Sequence, residues 1–305
     1  MSAPVNPISD SALVPAFVGH LLISPSTYRP MLKQAIIDAA VANHISIDGF
    51  GYHPGKSVIN FVQTSADLKK RELGHQLTII HLPPESAPLD LTLALATDLL
   101  SSLSELPQDA RFIDLSSMKE DEKLEIFPGL VVPLPAQPKV ETITPLGSAL
   151  SLFRYGAVRP GMSAEWPVEA FNIDAVSAVT GVSGVFSLPG RARCLMWGPY
   201  IKLPAGTWRI NIRFTADDAA AQQYFRFEWG GTDLSELSFK PGTSGSYEAE
   251  LTQSWTSPET VELRFIMPSS ALNGYVEIQS IRVEMIGGVE STTLEPHMPS
   301  QLPSA

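Results

Sequence analysis

The sequence predicts a two-part chain: a small α/β domain at the N-terminus, joined by a Pro-rich linker to a C-terminal antiparallel β-sandwich. Three observations predict it. Up to about residue 132, short apolar runs of strand character alternate with segments of helical spacing. Between 133 and 147 prolines cluster at 133, 135, 138 and 145. Beyond 148, strand-like alternating runs are separated by Gly, Pro, Ser and Asp, the punctuation of an all-β domain. The expected limits are 1–132 for the α/β domain, 133–147 for the linker and 148–287 for the sandwich. A polar, Pro-rich stretch at 288–305 reads as a disordered tail.

In chain order, Phe17 to Ile23 is an apolar run of strand length. Met31, Leu32, Ala35, Ile36, Ala39 and Ala40 then recur at helical spacing, with Pro30 tolerable because it falls in the first turn. His44 to Asp48 and Ser57 to Val62 both alternate, so the stretch GFGYHPGKS between them reads as the turn region of a β-hairpin. That stretch shares Gly-Lys-Ser with the phosphate-cradling loop, but the loop needs a glycine where Phe50 stands, and a helix after it rather than Val58-Ile59-Asn60-Phe61. No nucleotide site is expected there.

A short polar segment runs from Asp67 to His75, and Leu77 to Leu82 reads as a strand. Leu89 to Leu95 alternate, yet Leu95, Leu99, Leu103 and Leu106 step around one helical face, and leucine content without a β-branched run favours helix. Arg111 to Leu115 reads as a further strand, and the charged Lys119 to Lys123 as a solvated loop or helix end.

In the second half, Thr207 to Phe214 alternates over eight residues, placing Trp208, Ile210, Ile212 and Phe214 inward and Arg209, Asn211 and Arg213 outward. Tyr224 to Trp229, Tyr247 to Leu251, Val261 to Ile266 and Tyr275 to Met285 supply further strands. Antiparallel strands with one wet face pack as a sandwich.

Composition narrows the function. The 305 residues carry 21 Lys and Arg against 32 Asp and Glu, a net charge of -11. That balance disfavours nucleic acid or an anionic membrane surface as the main partner. The single cysteine, Cys194, allows no intramolecular disulfide and no cysteine-based zinc cluster. No stretch reaches the length of a membrane span, and the N-terminus lacks the basic region of a secretory leader. The compartment stays open between the cytoplasm and export within an assembly.

Catalytic patterns are sparse. Histidines at 20, 44, 53, 75, 81 and 297 show no metal-ligand spacing, and no G-x-S-x-G elbow occurs. Cys194 reads as a small apolar strand residue rather than a nucleophile. Asp48, His53, His20 and His81 stand near turns or strand ends, where α/β active sites form. No catalytic residue, cofactor or metal is assigned.

The run Gly198-Pro199-Tyr200-Ile201-Lys202-Leu203-Pro204-Ala205-Gly206-Thr207-Trp208-Arg209-Ile210 resembles the central signature of carbohydrate-binding-module-like jelly rolls of the galactose-binding type, in which a Leu-Pro-Ala-Gly turn leads into an alternating strand. Gly274 to Val283 is similar to their last strand, so the resemblance covers roughly 165–287. It implies a jelly-roll sandwich that contacts a glycan. Families of this kind often hold a structural calcium, and Val168-Glu169-Ala170-Phe171 loosely matches their opening strand; Glu169 reads better as a surface carboxylate, because no second acid is fixed by spacing.

Sugars present flat C–H faces to aromatic rings and hydroxyls to polar side chains. Trp197 and Trp229 stand beside Gly198-Pro199 and Gly230-Gly231, at expected loop junctions. With Tyr200 they form the expected glycan-binding set, and Arg191 and Arg193 are the expected hydroxyl or acid partners. Three readings stay open: a non-catalytic polysaccharide-binding protein whose α/β domain docks to an assembly, a structural or adhesion subunit such as a phage-like spike or homo-oligomer, and an enzyme with its site in the α/β domain.

Overall fold

The computed structural model describes residues 16–47, 56–69, 71–72, 74–84, 91–106, 109–119, 122–136 and 143–288. In the first half, β1 (Val18–Ile23), β2 (Ser46–Ile47), β3 (Val58–Phe61), β4 (Gln76–His81) and β5 (Arg111–Asp114) form one sheet in the order β2-β3-β1-β4-β5. Every pairing in it is parallel. Helix α1 (Arg29–Ala42) joins β1 to β2, the one-turn α2 (Ser65–Leu68) lies between β3 and β4, and α3 (Leu93–Ser102) between β4 and β5.

Strand and helix expectations for this half hold, with one correction. The segments flanking GFGYHPGKS pair in parallel, Ser46 beside Val58 and Ile47 beside Ile59, so no hairpin joins them. Two parallel neighbours require a crossover between them, which a tight turn cannot provide. Residues 48–55, most of the quoted stretch, lie outside the described residues.

Parallel strands are covered on both faces, which is why β1 and β4 read as near-continuous apolar runs. Leu21, Ile23 and Ile80 face α1 residues Leu32 and Ile36, together with the ribbon of β6 (Lys123–Phe127) and β7 (Leu130–Pro133). That ribbon was not expected; its Ile126, Phe127, Leu130 and Val132 are buried in the cluster. The opposite face, with Leu22, Leu77 and Ile79, meets Leu99 and Leu100 of α3 and Leu103 just after it.

Past the ribbon the chain enters α4 (Pro145–Ala149), with Pro133 ending β7 and Pro145 opening α4. Residues 137–142 of the expected linker, and 289–305 of the expected tail, lie outside the described residues. Leu150, Leu152 and Phe153 follow α4 and join the cluster that holds the inner face of α3, so the two halves share apolar packing. Polar contacts add to it. Lys202 Nζ meets Asp98 Oδ1 at 2.6 Å, the Val158 amide donates to Ser104 Oγ at 3.0 Å, and His81 Nε2 lies 3.0 Å from the Arg154 carbonyl.

The sandwich comprises β8 (Ser163–Glu165), β9 (Asn172–Ile173), β10 (Val185–Ser187), β11 (Arg193–Leu203), β12 (Gly206–Ala216), β13 (Phe225–Gly230), β14 (Leu234–Phe239), β15 (Gly245–Trp255), β16 (Glu259–Met267) and β17 (Tyr275–Gly287). One sheet runs β10-β17-β12-β15 with β8 also on β17; the other runs β14-β13-β16-β11-β9. Consecutive strands mostly alternate between the sheets, the wrapping of a jelly roll.

Inside, Phe214, Phe227, Phe265 and Phe225 contact one another in that order, with centroids 4.8 to 5.8 Å apart. Each fully buried ring contributes roughly 1.5–3 kcal/mol. The Leu203-to-Gly206 turn is as expected, and the Pro204 carbonyl accepts both the Trp208 and the Trp255 indole N–H, at 3.0 and 2.8 Å. Gly206, at φ +150, is required there because a Cβ would lie 2.5 Å from the Met285 methyl and 2.7 Å from the Gly287 oxygen.

Candidate functional site

The outer face of the second sheet carries the one grouping of aromatic and hydrogen-bonding side chains that the sequence partly anticipated. Inward residues of β16 are Val261, Leu263, Phe265 and Met267, all fully buried, so Thr260, Glu262, Arg264 and Ile266 face out. Register then fixes their neighbours. Glu236, Glu228, Arg264, Trp197 and Asn172 stand opposite one another in succession across all five strands. The next row places Glu262 opposite Pro199, and between Pro199 and Ile201 the strand bulges at Tyr200.

A bulge adds one residue on one strand and re-aims its side chain. Tyr200 adopts φ +66 and is 41% exposed. A tyrosine held in the left-handed region costs about 1–2 kcal/mol, and such outliers concentrate at functional positions. Burial, followed by the hydrogen bond to the Glu262 carboxylate, pushes its phenol above the ordinary range.

Around the rings the charges are matched. Arg226 Nη2 bonds Glu228 Oε1 at 2.9 Å, and its Nη1 lies 3.7 Å from Glu236 Oε1; Arg264 bonds Glu228 Oε2 at 3.3 Å and also pairs with Glu262. Two guanidinium groups stand among three carboxylates, so the face offers fixed donors and acceptors without an excess of positive charge. Cys194, opposite Ile266 and thus on this face, is half-buried; burial raises its thiol, keeping it protonated.

The expected site set divides. Trp197 and Tyr200 come together on this face, Trp197 partly exposed. Trp229 is a correction: it is fully buried, its ring set against Trp255 at 5.8 Å, because Phe225, Phe227 and Trp229 share the inner side of β13. Arg193 is also corrected. Its Nε bonds Asp174 Oδ2 and Ser177 Oγ, and its other nitrogens bond the carbonyls of Arg191, Ser187 and Pro189, so it pins the 174–193 segment. Arg191 stays exposed in the turn before β11, outside the aromatic row. Glu228, Glu262, Arg264 and Arg226 were missed. Alternation marks each as outward on its strand, yet only register sets them beside Trp197.

The remaining candidates do not assemble. His20 and His75 pair with each other, Nε2 to Nδ1 at 3.1 Å, whereas His81 meets the Arg154 carbonyl. Asp48 and His53 lie outside the described residues. Glu169 lies below the ordinary carboxylate range because it hydrogen-bonds Ser183. Among the described residues no group of three or more His, Cys, Asp or Glu could hold a metal ion, and no helix is long and apolar enough to cross a membrane.

No protein-family model matches the chain, and no curated protein matches it. Solved structures that resemble it include a family 61 carbohydrate-binding module in complex with β-1,4-galactotriose, 11% identical, covering 40% of this chain and 86% of that one at a TM-score of 0.28. A family 6 carbohydrate-binding module of a Cellvibrio mixtus lichenase, in complex with cellotriose, is 13% identical over 40% of this chain and 95% of its own, at 0.26. A tumour necrosis factor from S. frugiperda is 10% identical over 45% and 99%, at 0.25. These likenesses bear on fold alone.

Proposed function

We propose that the protein is a non-catalytic glycan-binding protein that holds a neutral polysaccharide on the outer face of the β14-β13-β16-β11-β9 sheet. One observation carries this reading: the row Glu228, Arg264, Trp197, Asn172 with Tyr200 beside it, an exposed tyrosine and a partly exposed tryptophan bordered by mutually paired charges. Ring faces accept the C–H side of a pyranose, and the flanking carboxylates and guanidinium groups take its hydroxyls as donors and acceptors. An acidic polysaccharide would face more carboxylates than arginines.

A second reading, a structural or adhesion subunit, draws on apolar side chains exposed elsewhere. Leu272 is 95% and Val176 74% exposed, single apolar side chains that a protein partner would cover. The same surfaces would serve docking to an assembly.

The test is a glycan array that includes cellotriose and β-1,4-galactotriose, followed by calorimetry with Trp197→Ala and Tyr200→Gly. Losing a stacked ring removes roughly 1–3 kcal/mol, a ten- to hundredfold loss of affinity. Tyr200→Gly should bind less while melting no lower than the parent, since glycine accepts φ +66 without strain. An array without any bound glycan moves the assignment to the structural subunit.

A further inference from the structure

The outward line of β11 does not stop at Tyr200. Lys202 stands opposite Thr260, on the same face as Trp197 and Arg264. From there its ammonium reaches Asp98 of α3, whose Leu99 and Leu100 pack into the apolar cluster shared with the sandwich. Beside this ion pair, between the two halves, lies a cleft of about 410 Å³.

Building on the glycan reading, we infer that this cleft is the terminal subsite of the same track: it receives the end unit of a neutral, hydroxyl-rich chain whose inner units lie on Trp197 and Tyr200. Lys202 belongs both to the aromatic face and to the cleft wall. The five-residue step from Trp197 to Lys202 spans roughly 16 Å of strand, so a chain lying along β11 arrives there. There it meets the Lys202–Asp98 pair at the cleft wall.

The lining suits a sugar. Ser101 and Ser102 donate to the helix carbonyls of Asp98 and Leu99, at 3.2 and 2.6 Å, which leaves their oxygens able to accept from ligand hydroxyls. Lys69 and Glu105, exposed at the rim, make no ion pair among the described residues and supply one free donor and one free acceptor. Other charges are spent: Lys202 on Asp98, and Arg71 on Asp109 at 2.6 Å. With Lys69 set against Glu105 the described lining is balanced, so a neutral unit fits better than an anion. Neither half forms this subsite alone, which gives the α/β half a part in recognition.

The experiment uses the full chain. Cellotriose and β-1,4-galactotriose are titrated into the parent, into Trp197→Ala and into the double variant Lys69→Ala/Glu105→Gln, each checked for an unchanged melting temperature. Protein bound is also measured against cellulose and galactan preparations of graded chain length. Expected are a loss of tenfold or more in both variants and binding that scales with the number of chain ends. If Trp197→Ala alone loses affinity, or binding scales with polymer mass, the terminal subsite is wrong and the aromatic face stands. Absence of binding to either trisaccharide by the parent overturns the subsite, and an array without any bound glycan overturns the glycan reading with it.

Discussion

Two buried tryptophans provide a matched comparison of what an indole N–H contributes inside this sandwich. Trp208 and Trp229 are both fully inaccessible, and both touch Trp255, with centroids at 6.2 and 5.8 Å. Trp208 Nε1 donates to the Pro204 carbonyl at 3.0 Å, whereas Trp229 Nε1 is buried without a partner among the described residues. Replacing either by phenylalanine removes the same volume, so the cavity cost largely cancels between the two variants. What differs is the N–H. Trp208→Phe forfeits a hydrogen bond with a net contribution of about 0.5–1.5 kcal/mol, and the Pro204 oxygen stays satisfied by Trp255. Trp229→Phe removes an unsatisfied donor whose burial costs about 1–3 kcal/mol. Trp208→Phe should therefore be the more destabilising by about 2 kcal/mol or more, roughly 4–8 °C in melting temperature for a domain of this size. Urea unfolding of both variants, followed by far-ultraviolet circular dichroism and fitted with a common slope, measures the difference. Equal midpoints, or a lower midpoint for Trp229→Phe, would refute the reasoning.

Two further outcomes follow from the same structure. A protease site engineered into 133–147 and cleaved after folding should leave the halves co-eluting in gel filtration, because Leu99, Leu100 and Leu103 pack in one cluster with Leu150 and Phe153; separation would show that the linker alone connects them. Acidification should destabilise the α/β half. Burial, then His75 and Arg71, hold the His20 imidazole below its ordinary 6.5 against the opposing pull of Asp67, with Glu72 3.8 Å from His75 on the far side. A depressed folded pKa means that the unfolded chain binds more protons, so this contribution is complete above about pH 6.5 and is lost as pH falls toward the folded value. Melting temperature should drop between pH 7 and 5.5, and His20→Gln should flatten that slope; an unchanged slope in the variant would place the sensitivity elsewhere.

Sequence alone determined the elements whose evidence is local. The spacing of Leu32, Ile36 and Ala40 marked α1, and the alternation from Trp208 to Phe214 assigned β12 its inner face, since a period of two leaves no other choice for four large apolar side chains. Trp229 was legible by the same rule, as Phe225 and Phe227 precede it at two-residue steps, but the adjacent glycines were read as a loop. Tertiary structure decided what depends on distant partners. Whether β2 and β3 run parallel or antiparallel follows from the path of the chain between them, which alternation does not encode. The candidate site belongs to that second class. Asn172, Trp197, Glu228 and Arg264 lie on four strands from separate parts of the chain, and they form one row only because the bulges in β11 shift its register against β16. A pattern of period two states which side of its own strand each residue occupies; hydrogen bonding between strands decides which residues then become neighbours.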